Sequence, residues 1–333
     1  MKDSWLSRCV KKIIWLWRKL ALFLGTGLML LIIFIGLIIV AVTPSSSGLE
    51  SLEFSKKVLY SGSANEIALV RLSGEIVSAP DDSFWGYNPF SIDPYNVRKI
   101  VHGISQLQQV KAVILVINSP GGSVAASEEI YQQIRILSEL KPTYVFFEEM
   151  GTSGAYYLAL PAKKIFASVP TITGSIGVIA YDTDFSGLME KVGVKLTTYQ
   201  SGALKDFGSP TRPASDLERQ IFESIIDDSY QLFIDRITEN RSMDRSRVIQ
   251  LADGRIYSGK QAVENGLIDA TSSMNGVIGI VADEESIDSP TVMEYSLGRS
   301  WMSELFGNSL GRLIPASLST QQLMHSRAGL YYL

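Results

Sequence analysis

The sequence predicts an α/β protein with a mainly parallel sheet and flanking helices, preceded by one N-terminal transmembrane helix. From residue 66 onward, short Val- and Ile-rich runs alternate with longer segments of helical spacing. Such alternation is typical of parallel sheets with right-handed crossovers. Upstream, residues 20–42 carry no charge. A helix of that length, rising ~1.5 Å per residue, crosses the ~30 Å hydrocarbon layer of a bilayer.

The charge is divided unevenly between the N-terminal end and the rest of the chain. Residues 1–42 sum to +5 and the remainder to −9, for a net charge of −4. Because the basic residues precede the apolar run, the positive-inside rule places the N-terminus in the cytoplasm and everything after Val42 outside. The run exceeds the ~7–15 apolar residues of a cleavable signal peptide, although 41–43 also fits a cleavage site. We expect an uncleaved, single-pass anchor in the cell membrane.

Composition argues against several classes of protein. A nucleic-acid-binding protein would carry a basic face, which the net charge of −4 does not favour. Cys9 is the only cysteine in 333 residues, so an intramolecular disulfide is excluded. With His102 and His325 as the only histidines, a zinc site is not expected. We expect neither a metal nor a cofactor.

The patterns divide the chain into regions and elements. The predicted regions are a cytoplasmic basic segment, an anchor, a tether, a main domain and its C-terminal extension, at residues 1–19, 20–42, 43–65, 66–270 and 271–333. The predicted strands are 67–72, 75–77, 111–117, 143–147, 164–167 and, with a weaker signal, 292–295. The predicted helices are 96–110, 123–140, 154–161 and, again weaker, 275–282. A long surface loop is predicted over 79–94.

Two capping boxes mark helix starts in the second half of the main domain. Ser215 with Glu218 opens a long amphipathic helix, and Ser258 with Gln261 opens a shorter one. The apolar stripe of the long helix consists of Ile221, Phe222, Ile225, Ile226, Phe233, Ile234 and Ile237. We interpret this stripe as packing on the core rather than as binding a partner.

A glycine-rich segment at 117–124 follows a predicted buried strand and opens a helix. In parallel sheets this junction is where binding and catalytic sites are built. Gly121 and Gly122 would let backbone N–H groups approach a ligand, as an oxyanion hole requires. An ordinary glycine turn before a helix fits the same pattern. No Gly-Lys-Ser or Gly-Lys-Thr follows, so the segment is not a phosphate-binding loop.

Ser153 occupies a similar junction between a strand and a helix, flanked by small residues. Its hydroxyl would be accessible there as a nucleophile, but taken alone the position favours an ordinary helix-capping serine. A serine nucleophile needs a base to take its proton. Neither His102 nor His325 lies at a position that obviously supplies this base. A neutral lysine can take that role when burial lowers its pKa, and Lys205, in a turn-rich loop, is the candidate.

Five segments, taken together, resemble the signal peptide peptidase A family over about residues 66–270. They are SPGGSV at 119–124, TSGAYY at 152–157, TGSIGV at 173–178, SGALKDFGSP at 201–210 and GRIYSGKQAVENGLID at 254–269. The resemblance implies a membrane-anchored serine protease with a Ser/Lys dyad, on the fold shared by Clp protease subunits and crotonases. It also implies that neither a metal nor a cofactor is needed. The family further implies a homo-oligomer, which is an octamer for single-repeat members.

The resemblance assigns a role to each matching position. Ser153 corresponds to the nucleophile, Lys205 to the general base and Ser175 to the serine that orients this lysine. The implied oxyanion-hole donors are the amides of Gly121, Gly122 and Gly154. In such oligomers the serine and lysine of one site can come from neighbouring subunits.

The expected function is that of an endopeptidase degrading remnant signal peptides and similar apolar peptides at the outer membrane–water boundary. Three alternatives stay open. One is a membrane Ser/Lys protease partnered with a stomatin-like protein, and another is a catalytically silent membrane scaffold. The third, a crotonase-like acyl-CoA enzyme, is disfavoured because a domain outside the cell has no evident supply of CoA.

Overall fold

The computed structural model describes residues 15, 17–19, 25–34, 36, 54–78, 91–297 and 331–332, which fall into two compact units, 1–51 and 52–333. In the first unit, the described residues are helical. The rest of the predicted span 20–42 lies outside the described residues. Within the part of the chain that is described, no helix combines the length and apolarity needed to cross a membrane.

The main sheet of the second unit contains nine strands among the described residues. In order across the sheet, the first seven are β1 (Phe54–Tyr60), β12 (Thr291–Leu297), β2 (Glu66–Ser73), β5 (Val110–Ser119), β7 (Thr143–Thr152), β8 (Lys164–Ala167) and β11 (Ala270–Thr271). The end of β7 also pairs with β9 (Ile172–Gly174), which in turn pairs with β10 (Ile256–Ser258). Only the β1–β12 and β9–β10 pairings are antiparallel. The predicted mainly parallel sheet is therefore confirmed.

A second, smaller sheet lies beside the glycine-rich segment. It consists of β13 (Tyr331–Tyr332), β6 (Gly122–Ser123), β3 (Glu75–Ile76) and β4 (Ser91–Ile92), in that order. The backbone near the C-terminus therefore adds an antiparallel strand to the two residues that open the helix after β6.

Eight helices accompany the sheets among the described residues of the second unit: α1 (Pro94–Ser105), α2 (Val124–Leu140), α3 (Gly154–Ala159), α4 (Ser186–Lys191), α5 (Asp216–Arg241), α6 (Arg245–Leu251), α7 (Gly259–Glu264) and α8 (Met274–Glu284). They cover both faces of the main sheet. Along β2, Ala68 and Val70 pack into a core with α1, α2 and α5, whereas Ile67 and Leu69 pack into a core with α8. Because side chains alternate along a strand, one apolar run supplies both cores.

Several predicted boundaries move in the structure. The helix predicted at 96–110 begins at Pro94, because Asp93 accepts a hydrogen bond from the Asn96 N–H at 2.9 Å. It ends at Ser105, and Val110 belongs to β5. Strand β7 continues past the predicted end at Phe147, since its last residues pair with β9. Both capping boxes are confirmed.

Of the seven residues in the apolar stripe on α5, only three are buried. Phe233, Ile234 and Ile237 are buried, but Ile225 is 42% exposed. The expectation that the whole stripe packs on the core is therefore wrong for the first half of this helix. The preceding segment 178–204, here called the outer segment, is also largely exposed. Its exposed apolar side chains include Tyr181, Phe185, Leu188, Val192, Val194, Leu196 and Tyr199.

The main sheet extends beyond the predicted main domain at both ends. Strand β1 lies within 43–65, the predicted tether, and β12 lies within the predicted extension 271–333. They pair with each other over Phe54–Leu297 to Tyr60–Val292, and β12 pairs with β2. The sheet is completed by two segments whose sequences carry weak strand signals.

Candidate active site

The glycine-rich segment is shaped by the strand beside it. Gly122 has φ +150°, and a Cβ there would lie 2.1 Å from the Ile76 carbonyl oxygen, so only glycine fits. The Gly121 carbonyl accepts a hydrogen bond from the Ile76 N–H at 2.8 Å. The Gly121 N–H donates to Ser119 Oγ at 3.2 Å. The Gly121 N–H is therefore already used within the segment, and the backbone of Gly122 pairs with Tyr332 of β13.

Ser153 lies at the turn from β7 to α3 in an unusual conformation. Its φ of 54° and ψ of −120° place a non-glycine residue in a region that costs about 1–3 kcal/mol. The turn is held by the main chain, because the Ser153 N–H donates to the Gly174 carbonyl at 2.7 Å and the Ser153 carbonyl accepts from Tyr157 at 2.9 Å. Strained positions of this kind cluster at functional sites.

The Ser153 hydroxyl is buried and has no hydrogen-bond partner among the described residues. It does not cap α3, whereas Ser123, Ser215 and Ser258 each accept a hydrogen bond from the helix that they precede. An unsatisfied buried hydroxyl costs about 1–3 kcal/mol. The helix-capping interpretation of Ser153 is therefore not supported by the geometry. The prediction of an accessible hydroxyl is wrong for the single chain, because Ser153 is fully buried.

Hydrogen bonds bring three of the motifs together. Across the sheet, Ser119 of β5 faces Gly151 of β7, and Thr152 faces Gly174 of β9. The Thr152 hydroxyl donates to the Pro120 carbonyl at 2.9 Å. The segments around Gly122, Ser153 and Gly174 thus meet at the carboxyl ends of adjacent parallel strands, where α/β proteins build their sites.

Ser175 follows β9 directly and also has a positive φ, of 52°. Its N–H donates to the Arg255 carbonyl at 2.8 Å. The neighbouring Gly174 carbonyl accepts the Ser153 N–H. The structure therefore brings Ser175 and Ser153 to one edge of the sheet, as the predicted site requires.

Lys205 forms no hydrogen bond with Ser153 Oγ among the described residues. It is exposed, in a turn whose backbone is closed by the hydrogen bond from the Lys205 N–H to the Gly202 carbonyl at 3.0 Å. The pairing of Ser153 with Lys205 therefore stays a prediction.

The sequence did not predict the charged cluster around Lys205, in which Arg212 joins Asp206 to Glu218. Arg212 donates from Nε and Nη2 to the Asp206 carboxylate at 2.9 Å each, and from Nη1 and Nη2 to the Glu218 carboxylate at 2.8 Å each. These contacts lower the pKa of Asp206 and Glu218 below their ordinary values. The spacing of six residues on either side of Arg212, with Glu218 in a capping box, is the signal that could have found this cluster.

Residues 135–288 match peptidase family S49, and residues 92–165 match the Clp protease family. The S49 match includes Ser153, Ser175 and Lys205. The Clp protease match accords with the observed architecture, a mixed α/β fold of the ClpP type.

The chain is 37% identical over 248 residues to a protein of Enterococcus faecium named as a signal peptide peptidase SppA, covering 73% of this chain and 71% of that protein. It is 34% identical over 225 residues to a protein of Methanocaldococcus jannaschii named as a protease, covering 66% and 72%. A solved structure of a membrane-bound stomatin-specific protease aligns with a TM-score of 0.41 and 15% identity, over 65% of this chain and 84% of that one.

Proposed function

Because this chain belongs to peptidase family S49, the family of signal peptide peptidase SppA, we propose that it is a serine endopeptidase in which Ser153 is the nucleophile and Lys205 the general base. One observation carries the proposal. The Ser153 hydroxyl is buried, unpartnered among the described residues and held in a strained turn beside Gly122. A structural serine would form a hydrogen bond at such a position.

In the proposed reaction, Ser153 Oγ attacks the scissile carbonyl while the neutral Lys205 amine takes its proton. The N–H groups of Gly122 and Gly154 stabilise the negative oxygen of the tetrahedral intermediate. The Lys205 ammonium then protonates the leaving amine, and an acyl-enzyme remains. Water, deprotonated by Lys205, attacks this ester and releases the acid. Ser175 orients the lysine.

We propose that the dyad is completed between subunits of a homo-oligomer. Two features support it: Ser153 has no partner within its own described chain, and Lys205 is exposed. The outer segment and the first half of α5 also expose apolar side chains, among them Tyr199 at 93% and Ile225 at 42%. Exposed apolar surface of this extent is typical of an interface. A second copy of this chain covers it in the proposed assembly.

The proposed substrates are apolar peptides, including remnants of signal peptides, bound in an extended conformation. Strand β6 supports this proposal, because β13 shows that an extended segment can pair with Gly122 and Ser123. Main-chain pairing of this kind binds a peptide without reading its sequence. We place the catalytic domain on the extracytoplasmic side of the cell membrane, tethered by residues 20–42.

Hydrolysis of an apolar fluorogenic peptide by the purified full-length oligomer tests the dyad. Ser153→Ala and Lys205→Ala should each abolish turnover at unchanged oligomer size. The matched controls are Ser246→Ala and Lys260→Ala, two exposed positions away from the site. Full activity in Lys205→Ala would reject the lysine. Failure of wild type to react with a serine-directed phosphonate would favour the silent scaffold instead.

Mixing the two inactive variants tests the division of the dyad between subunits. If each site combines a serine from one subunit with a lysine from its neighbour, random mixed oligomers of Ser153→Ala and Lys205→Ala regain activity at about a quarter of their sites. Each variant mixed with itself is the control. Mixed oligomers that stay inactive would contradict the shared site.

A further inference from the structure

The loop that carries Lys205 is tied to helix α5 mainly through one side chain. Residues 201–214 contain no strand or helix. Arg212 joins the carboxylate of Asp206, the residue next to Lys205, to that of Glu218 in the first turn of α5. Its Nη2 also donates to the Asp206 backbone carbonyl at 3.3 Å. One guanidinium therefore holds both the side chain and the backbone beside the lysine.

The helix end of this connection is rigid. The Glu218 side chain is only 1% exposed, and its carboxylate also accepts hydrogen bonds from the Ser215 N–H at 2.8 Å and the Ser215 hydroxyl at 2.7 Å. A two-pronged arginine–carboxylate contact fixes geometry as well as charge. Arg212 thus transmits the position of a capped helix to the lysine loop.

The charges in this cluster matter for a lysine that must lose its proton. Arg212, from the same loop, and Glu218, from α5, are the charged groups that act on Asp206 among the described residues. Asp206 is an ordinary carboxylate at neutral pH, and its hydrogen bonds with Arg212 lower its pKa further. The flexible lysine side chain can reach the carboxylate of an adjacent residue. A free Asp206 carboxylate next to Lys205 would favour the charged ammonium form of the lysine.

We propose that Arg212 is a positioning residue for the base: it fixes the Lys205 loop on helix α5 and occupies the Asp206 carboxylate, so that this carboxylate does not pair with the lysine. The inference rests on the proposed role of Lys205. It adds a residue that touches neither the substrate nor Ser153 but sets the pH range in which the lysine is neutral.

The loop keeps other anchors when Arg212 is replaced. The rings of Phe207 and Phe222 pack with centroids 4.6 Å apart, and the Phe185 N–H donates to the Pro210 carbonyl at 2.7 Å. The first effect expected of Arg212→Met is therefore on the position and ionisation of Lys205 rather than on the presence of the loop.

The test measures kcat/KM against pH for the full-length oligomer, with the apolar peptide as substrate. On the acid side, the rate follows the fraction of neutral lysine. Arg212→Met should move this limb to higher pH by roughly half a unit to one unit, a roughly 3- to 10-fold loss at a fixed pH below it. Arg212→Lys should shift it less, because a lysine keeps the charge but cannot bridge both carboxylates.

A matched pair of variants separates ionisation from loss of structure. Arg212→Met and Arg212→Met/Asp206→Asn lack the same arginine and leave Glu218 in the same state, and they differ only in the charge at residue 206. The double variant should restore the wild-type acid limb. The shift in Arg212→Met should also shrink at high ionic strength, because salt screens exposed charges. Arg245→Met, which removes an exposed ion pair with Asp235, is the control.

The outcomes distinguish this inference from the proposed function. If Lys205→Ala retains full activity, the proposed function fails and the inference with it. If Lys205→Ala is inactive but the acid limb of Arg212→Met equals that of wild type, the inference alone is overturned. Equal shifts in the single and double variants would also overturn it, because the Asp206 carboxylate would then not be the cause.

Discussion

The regions around Ser153 and Lys205 are built in different ways. Ser153 is placed by the main chain: its strand pairs on both sides, and its own N–H donates to Gly174. Lys205 lies in an exposed turn that side chains tie to α5, chiefly Arg212. Backbone ladders position the nucleophile before any partner arrives, whereas the base depends on ion pairs and, in the proposed assembly, on a neighbouring subunit. Four predictions test this contrast.

The largest effect is expected where the outer segment is broken as an interface. Leu196→Asp/Tyr199→Asp should dissociate the oligomer and reduce peptide hydrolysis at least tenfold, because charges would be buried between subunits. Both side chains are exposed in the single chain, so thermal stability of the subunit should hardly change. Sedimentation and turnover are measured together, with Ile136→Asp as an exposed control on α2. A fully active monomer would contradict the shared site.

The next largest effect is expected in the region around Ser153, at Gly122. Gly122→Ala should cost roughly 3 kcal/mol or more in unfolding free energy and abolish turnover, since its Cβ would meet the Ile76 carbonyl oxygen. Gly187→Ala is the control, because a Cβ there meets no described atom within 4 Å. Urea unfolding measures the free energy of unfolding of both variants, and peptide hydrolysis measures their turnover. Wild-type stability in Gly122→Ala would show that β3 and β6 do not pack as described.

The stability contributed by the ion pair between Arg212 and Glu218 should depend on pH. Arg212 lowers the pKa of Glu218 below its ordinary 4.5, so the stabilisation is complete above pH 4.5 and is lost as pH falls through the lowered value. Glu218→Gln should therefore melt at a lower temperature than wild type at pH 7, and the difference should shrink towards pH 2. Glu239→Gln, at an exposed ion pair, should show a small difference throughout. A gap independent of pH would contradict the charge effect.

The smallest effect is expected at the strand near the C-terminus. Since β13 pairs with β6, an extended substrate at the same place has to displace it. Deleting residues 331–333 should lower KM for the peptide by roughly two- to fivefold at unchanged kcat. Michaelis–Menten kinetics of the deletion and of wild type give the answer. An unchanged KM would mean that substrate does not bind along β6.

Much of the fold could be read from local patterns in the chain. The buried strands are continuous Val and Ile runs, and Lys164–Ala167 has the bounds that its sequence predicts. The capping boxes at Ser215 and Ser258 predict two helix starts, and both are present in the structure. These features can be predicted from sequence because each depends on residues within a few positions of one another. The family resemblance similarly rests on short segments in a fixed order.

The tertiary structure alone decided the features that join distant segments. Strand β1 pairs with β12 more than 200 residues away, and neither has a strong strand pattern of its own. That Ser153 has φ +54° and an unpartnered hydroxyl, rather than a capping role, depends on where β9 lies. The sequence by itself determined the elements and the candidate residues, because propensity and periodicity are local. Contacts such as that of Arg212 with Asp206 and Glu218 exist only once the chain has folded, because they depend on which surfaces are brought together.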